Sequence, residues 1–154
     1  MEVREFAERV LFSEEIESKL RAPELPLTDE RPGPPERIWE PSRPDPLRFA
    51  PRKQAAKMPH RSGFWEPRLR AVAHHIMANH ELQALEVMAW TILAFPDAPT
   101  RFRRGIVGVM LDEQRHTRMH LKRLDAFGME LGDLPVNGHV WIRSRQSENV
   151  LDYL

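Results

Sequence analysis

Two long helical patterns separated by a proline-rich break constrain the fold of this 154-residue chain more than any other feature. The first pattern runs from about Arg68 to Phe95, and its apolar residues recur at steps of three and four. Residues 96–99, Pro-Asp-Ala-Pro, interrupt it, and the second pattern then continues to about Phe127. Because so short a connection joins antiparallel neighbours, the sequence predicts an all-α fold built on a long helical hairpin over residues 67–128.

The residues at the ends of the two patterns agree with these limits. Pro67 suits the first turn of a helix, where its missing N–H is not needed. Thr100 can cap the second helix, and Gly128 is a typical residue just beyond a helix C-terminus.

Proline also divides the chain around the hairpin, since eleven of the 14 prolines lie between Pro23 and Pro67. Residues 1–21 predict a short N-terminal helix or helices, and residues 22–66 an extended proline-rich arm, because proline disrupts helix interiors and central strands. Spaced apolar residues indicate that the arm packs over its own bundle or a partner subunit. These anchors are Ile38, Trp39, Leu47, Phe49 and Phe64.

Residues 129–154 predict a C-terminal loop and short tail. Glycine, proline and asparagine are frequent just after the hairpin, which is typical of loops. We expect Trp141 and Ile142 to pack back on the hairpin and Glu148–Leu154 to form a short terminal helix.

Composition excludes several function classes. The 23 Lys and Arg balance 23 Asp and Glu, so no overall field favours nucleic acid or a membrane surface as partner. Cysteine is absent, which excludes disulfides, thiolate metal sites and cysteine nucleophiles and fits a reducing cytoplasm. The charged N-terminus does not resemble a secretory signal, and no apolar stretch is long enough to span a bilayer. We therefore expect a cytoplasmic protein.

The hairpin places a possible metal site near its middle. When the chain folds back at the turn, residues equally far from the turn face each other. Glu81 then lies at the level of residue 114, between Glu113 and His116. Glu and His three positions apart project from one helix face, and a carboxylate and a neutral imidazole can bind the same first-row metal ion. Glu81, Glu113 and His116 are thus the candidate metal ligands. They form half of the ligand set of a carboxylate-bridged di-iron or di-manganese site in a helical bundle.

The same spacing also has plainer interpretations. Glu81 and Glu113 could belong to a solvated helix face, and His116 could be a core or interfacial histidine. Glu86 competes with Glu81, but it points roughly 140° away from it, so we assign it to the surface or to a supporting position behind the ligands. Three nearby histidines are weaker ligand candidates, namely His74, His75 and His80. We expect His120 to be solvated, with the ordering of His116 through water as the alternative. The basic cluster of Arg101, Arg103 and Arg104 is expected to be solvated, with phosphate binding as the alternative.

Several segments resemble a known family. His80-Glu-Leu-Gln-Ala84 resembles the first iron-binding helix of ferritin-like di-iron carboxylate proteins, and Asp112-Glu-Gln-Arg-His116 resembles the second. Residues 31–37, 95–99 and 132–137, with Trp141 after them, are similar to an uncharacterised bacterial ferritin-like family of unknown function. The resemblance implies half of a ferritin-like four-helix bundle that binds iron. Members of that family continue into a second helix pair with the same ligands, and nothing after Gly128 matches that pair.

Symmetry suggests how such a half-bundle would be completed. Two hairpins related by a two-fold axis would bring two ligand sets together, so we expect a homo-oligomer with the metal site at a dimer interface. A heteromeric protein partner could supply the second helix pair instead. Two iron ions per bundle, with manganese as the alternative, would then support iron oxidation, peroxide reduction or hydroxylation. The opposing expectation is a metal-free ferritin-like scaffold that binds another protein through its proline-rich arm.

Overall fold

The computed structural model describes residues 1–150, in which there are helices but no β-strand. The α-helices are α1 (Val3–Phe12), α2 (Ile16–Leu20), α3 (Pro67–Ala94), α4 (Thr100–Ala126) and α5 (His139–Ser144). Single 3-10 turns occur at Asp45–Leu47 and Arg61–Gly63. The all-α class is therefore confirmed for the described part of the chain. The terminal helix predicted over Glu148–Leu154 falls largely outside the described residues.

The two long helices α3 and α4 lie side by side and run in opposite directions. Near the connecting turn, Arg103 Nη1 donates to the Ile92 carbonyl at 2.8 Å. Near the other end, the Nδ1 atoms of His74 and His120 are 2.9 Å apart. Residues of α3 and α4 therefore face each other along the whole length of the two helices. In each facing pair, the two residue numbers add up to nearly the same total.

The ends of α4 differ in how their backbone groups are satisfied. Gly128 has a φ of +68°, a left-handed conformation that glycine adopts without steric cost. The Met129 N–H then donates to the Leu124 carbonyl at 3.1 Å, which satisfies a group that the helix leaves without a partner. At the start, Pro99 is the N-cap residue and no side chain caps the helix, so the predicted Thr100 cap does not form.

The central helix of the fold is α3. Its buried residues lie on nearly every side of the helix, whereas α4 buries one face. The helices α1, α4 and α5 all pack on α3, and α2 packs on α4. None of the helices in residues 1–150, α3 included, is both long and apolar enough to cross a membrane. One core joins these helices and includes Phe6, Val10, Leu11, Leu82, Leu85, Trp90, Leu93, Met110 and Trp141.

The segment between α2 and α3 lies against the helices of its own chain. The Glu36 N–H donates to the Leu93 carbonyl at 2.9 Å, and the Ser42 N–H donates to the Leu11 carbonyl at 2.8 Å. These bonds attach the segment to α3 and α1. Of the five predicted anchors, three contact the core (Ile38, Leu47 and Phe49) and two are exposed (Trp39 and Phe64).

The chain after α4 returns to α3 and forms a helix where the sequence predicted a loop. Trp141 in α5 is fully buried, and its ring N–H donates to the Trp39 carbonyl at 2.9 Å, so its predicted return is confirmed. Ile142 stays exposed, contrary to expectation. The Ala50 N–H donates to the Val136 carbonyl at 2.8 Å, which joins the long segment to the C-terminal loop.

Candidate metal site

Glu81, Glu113 and His116 meet between the middle turns of α3 and α4. One potential ligand atom of each residue lies within 4.8 Å of the other two. His116 Nδ1 is 3.1 Å from Glu113 Oε2 and 3.9 Å from Glu81 Oε2. The structure thus brings together all three residues that the sequence analysis selected as ligands.

The cluster is partly buried. The exposed fraction of the side chain is 20% for Glu81, 16% for Glu113 and 38% for His116. This burial distinguishes the two acids from a fully solvated helix face, and it distinguishes the histidine from a core residue. Groups at this depth can still exchange with solvent while losing part of their hydration.

The two carboxylates of the cluster disfavour each other's negative charge. Burial raises the pKa of Glu113, a hydrogen bond with Glu81 raises it further, and the contact with His116 partly opposes both. Two carboxylates this close favour a shared proton or another cation between them. A metal ion would supply that cation, so the acids fit the donor set that first-row metals prefer.

His116 presents its Nδ1 atom to the carboxylates. Its other ring nitrogen, Nε2, lies 3.1 Å from Arg115 Nη2. Because a guanidinium can only donate, this contact favours the tautomer in which Nε2 accepts and Nδ1 donates to Glu113. A metal ion bound by Nδ1 would replace this proton. Gln114 was expected at the level of Glu81. Its side chain instead donates to the Lys19 carbonyl at 2.8 Å and links α4 to α2.

An open cleft of about 580 Å³ reaches the cluster from one side. It is lined by Glu81 and His116 and by the contacting pair His74 and His120. Burial is the main cause that lowers the pKa of both histidines, which favours neutral imidazoles. Small solutes therefore have a route to the cluster past two neutral rings.

The two other histidines near the hairpin lie away from the cluster. His75 is buried, and its Nε2 accepts from the Gly132 N–H at 3.0 Å. It therefore holds the loop after α4 in place. His80 is exposed on a different side of α3 and lines a second cleft.

The expectation that Glu86 lies on the surface is wrong. Glu86 is completely buried and bonded to Arg43, with Nη2 to Oε2 at 2.6 Å and Nε 3.1 Å from both carboxylate oxygens. Lys19 Nζ adds a contact of 2.9 Å. No local sequence pattern marks Arg43 or Lys19 as partners of Glu86. The available indication was that Glu86 lies one turn from both Leu82 and Trp90, so it shares their core-facing side of α3.

The expectation that Arg103 is solvated is also wrong. Its guanidinium is buried and forms two bonds of 2.9 Å with the two carboxylate oxygens of Asp29. It also donates to the carbonyls of Ile92 and Phe95, at the end of α3. Arg103 therefore satisfies the C-terminus of one helix from the first turn of the next. Its neighbours Arg101 and Arg104 are exposed, as predicted.

The donor set of the cluster limits what it can do. Two carboxylates and one imidazole suit iron, manganese or zinc and leave coordination positions open for solvent or a substrate. Within residues 1–150, this is the one group of three or more acidic and histidine side chains with such spacing. Two metal ions would require more ligands than these three side chains provide.

Comparison with known proteins identifies a family but not an activity. No curated protein matches the chain, and no solved structure matches it. Residues 2–154 match the family model described as "Protein of unknown function (DUF455)", and the chain belongs to that family.

Proposed function

We propose that this chain is a ferritin-like metal-binding protein whose Glu81, Glu113 and His116 bind iron or manganese. The main support is the convergence of these three ligands from two helices, with ligand atoms within 4.8 Å of one another. They occupy the positions at which the sequence resembles the two iron-binding helices of ferritin-like proteins. Burial of two adjacent carboxylates supplies the electrostatic reason for a cation.

The hairpin has one side on which a second helix pair would complete the site. We call this side the open face, and its residues are all partly or fully exposed although α1 and α5 pack on other sides of α3. A second copy packed there about a two-fold axis would double every ligand and give two Glu and two Glu-x-x-His sets. The open face comprises Ala73, Met77, Glu81, Ala84 and Met88 on α3, with Phe102, Ile106, Val109, Glu113 and His116 on α4.

The roles of the three ligands follow from their positions. Glu113 contacts both other ligands, so we propose it as the carboxylate that would be shared by two ions, with Glu81 as a ligand that would hold one of them. His116 adds a neutral donor once its Nδ1 proton is displaced. Bound iron or manganese would supply one-electron redox chemistry, and we propose iron oxidation, peroxide reduction or hydroxylation as the reaction class. The adjacent cleft admits a small oxidant or substrate to the cluster.

A second candidate function is a metal-free scaffold that binds another protein through the segment between α2 and α3. Leu25 and Trp65 support it, because these large apolar side chains are 79% and 75% exposed. In this alternative, Glu81, Glu113 and His116 would bind no metal ion.

Metal analysis separates the two candidates. The purified chain would be loaded anaerobically with Fe(II) or Mn(II), desalted and analysed by mass spectrometry for metal content. We expect stoichiometric metal in the wild type and a loss of at least about tenfold in Glu113→Ala and His116→Ala, because each removes a ligand. The matched control is Asp112→Ala, an exposed neighbour of Glu113, which should bind metal like the wild type.

Two results would contradict the metal proposal. One is a wild-type chain that retains no metal while circular dichroism shows it folded. The other is equal retention by wild type, Glu113→Ala and His116→Ala. Light scattering on the loaded protein tests the shared site, because a monomer that holds two ions would exclude a site at a dimer interface.

A further inference from the structure

A second cleft lies on another side of α3 and is separate from the metal cluster. It has a volume of about 430 Å³ and lies between residues 50–52, α3 and residues 137–142. Its α3 residues point roughly 110° away from the open face at 100° per residue. These residues are Ile76, Asn79, His80 and Gln83.

Buried hydrogen bonds fix one wall of the cleft. Asn79 Nδ2 and Gln83 Nε2 both donate to the Asn137 carbonyl at 3.0 Å. Gln83 Oε1 accepts from the Trp141 N–H at 3.2 Å, and Asn79 Oδ1 accepts from Arg43 Nη1 at 2.9 Å. Both amide side chains are almost completely buried. The wall is therefore formed before any ligand arrives, which is typical of small-molecule sites.

A close contact fixes the position of residues 49 and 50 at another part of the cleft. A Cβ atom added at Gly138 would lie 2.6 Å from the ring of Phe49, so only glycine allows this approach of the loop to the ring. The guanidinium of Arg43 lies over the same ring, 4.4 Å from its centroid. Phe49 is thus held between Gly138 and Arg43, and residues 49 and 50 cannot move away without breaking buried contacts.

The lining of the cleft indicates the chemistry of its ligand. Most of it is apolar, with Ala50, Ile76, Val140 and Ile142 as the aliphatic contributors. No acidic residue lines it. Arg52, His80 and His139 are exposed there, and in the part of the chain that the structure describes their side chains have no ion pair or hydrogen bond. An unpaired guanidinium matches a carboxylate in geometry and charge.

We propose that this cleft binds a small monocarboxylate with an apolar body. The carboxylate pairs with Arg52 and accepts hydrogen bonds from the imidazoles of His80 and His139. The apolar body lies against Ile76 and Ile142. A single permanent cation matches a single negative charge, whereas a phosphate dianion would have one charge without a permanent partner in the cleft. The volume lies within the range of small-ligand sites, about 300–1,000 Å³.

Octanoate is a suitable probe of this proposal on the full chain. Backbone amide shifts in two-dimensional NMR would follow titration with octanoate, with the uncharged octan-1-ol and the cationic octylamine as matched ligands. We expect the shifts to centre on residues 137–142 and octanoate to bind at least about tenfold more tightly than either analogue. Inorganic phosphate should not displace it.

Variants assign the charge that binds the carboxylate. Arg52→Gln should weaken octanoate binding at least about tenfold, whereas Lys53→Gln, an exposed neighbour outside the cleft, should leave it unchanged. Circular dichroism would verify that both variants fold. The proposal is overturned if octanoate up to about 10 mM causes no shifts at residues 137–142, if octylamine binds equally well, or if Arg52→Gln binds like the wild type.

Discussion

The carboxylate of Glu86 and the guanidinium of Arg43 form a completely buried pair that joins α3 to the long segment before it. Lys19 of α2 is a second cation on the same carboxylate. Burial lowers the pKa of Lys19, and its contact with Glu86 opposes that shift. Three distant parts of the chain therefore meet at one carboxylate, which specifies how the segment and α2 lie on the central helix.

Removal of this carboxylate should destabilise the protein strongly. Glu86→Gln leaves the two cations buried without a counter-charge, and we expect a loss of about 3–5 kcal/mol in the free energy of unfolding. Urea unfolding followed by tryptophan fluorescence measures it. Asp112→Asn, which removes an exposed acid from α4, should change the free energy of unfolding by less than about 0.5 kcal/mol. Equal midpoints for both variants would show that the buried pair is not important for stability.

The contribution of a second buried arginine, Arg103, to stability can be tested without changing the charge of the protein. Arg103→Lys keeps the positive charge but cannot bond both oxygens of Asp29 and the carbonyls of α3 together. We expect a loss of about 1.5–3 kcal/mol in the free energy of unfolding, the size of hydrogen bonds to a charged group. Arg101→Lys, an exposed change two residues away, is the control. If the two variants melt at the same temperature, the end of α3 does not depend on Arg103.

The parts of this structure that were predictable from sequence are those with local patterns. The limits of α3 and α4 follow from helical periodicity and from the proline break, and reflection about that break places Glu81 beside Glu113 and His116. The buried ion pairs have no such pattern. Arg43 and Glu86 are 43 residues apart, and Asp29 and Arg103 are 74 apart, and in each of these two pairs one partner lies in an aperiodic segment.

The helix α5 is not predictable from local sequence for a related reason. Glycine, proline and asparagine before it are typical of a loop, and a six-residue helix has little stability of its own. Burial of Trp141 against α3 stabilises it, and that burial depends on residues far away in the sequence. Local propensity therefore gave the wrong structure where tertiary contacts decide the conformation.

The metal-free protein should be stabilised by removing one charge of the cluster. Because the pKa of Glu113 is raised above its usual 4.5 by burial and by Glu81, the folded chain holds this proton more tightly than the unfolded chain. Stability is therefore lost as pH rises from about 4.5 through the raised pKa. With chelator at neutral pH, Glu113→Gln should increase the free energy of unfolding by up to about 1 kcal/mol.

That gain has a pH dependence and a metal dependence that thermal melts can measure. The gain should disappear near pH 4, where Glu113 is protonated in both states. Added Fe(II) or Mn(II) should raise the melting temperature of the wild type above that of Glu113→Gln, because ligand binding stabilises the folded state. A variant that is less stable than the wild type in chelator at neutral pH would contradict the assigned repulsion.

Acid should destabilise the fold through His75. Burial lowers the pKa of this imidazole below its usual 6.5, and Asp133 only partly opposes the shift. The stability that the neutral ring provides is fully present above pH 6.5 and is lost as pH falls through the lowered pKa of the folded state. His75→Gln keeps an acceptor for the Gly132 N–H but cannot titrate. Urea unfolding between about pH 7 and 5 should therefore show a shallower decline for the variant, and an identical decline would exclude His75 as the cause.

Oligomerisation through the open face can be tested with two matched substitutions on α4. Val109 belongs to the open face, whereas Leu111 points roughly 160° away, and the two side chains are 40% and 39% exposed. Val109→Lys would place an ammonium group in the apolar contact between two copies. Because a buried charge without a counter-charge is costly, we expect at least about a hundredfold weaker dimerisation. Leu111→Lys changes exposure and charge equally but on the far side of α4, and it should dimerise like the wild type. Sedimentation equilibrium measures both constants. If Leu111→Lys dissociates the dimer and Val109→Lys does not, the second copy packs on another surface, and the ligands of the cluster must be completed from elsewhere.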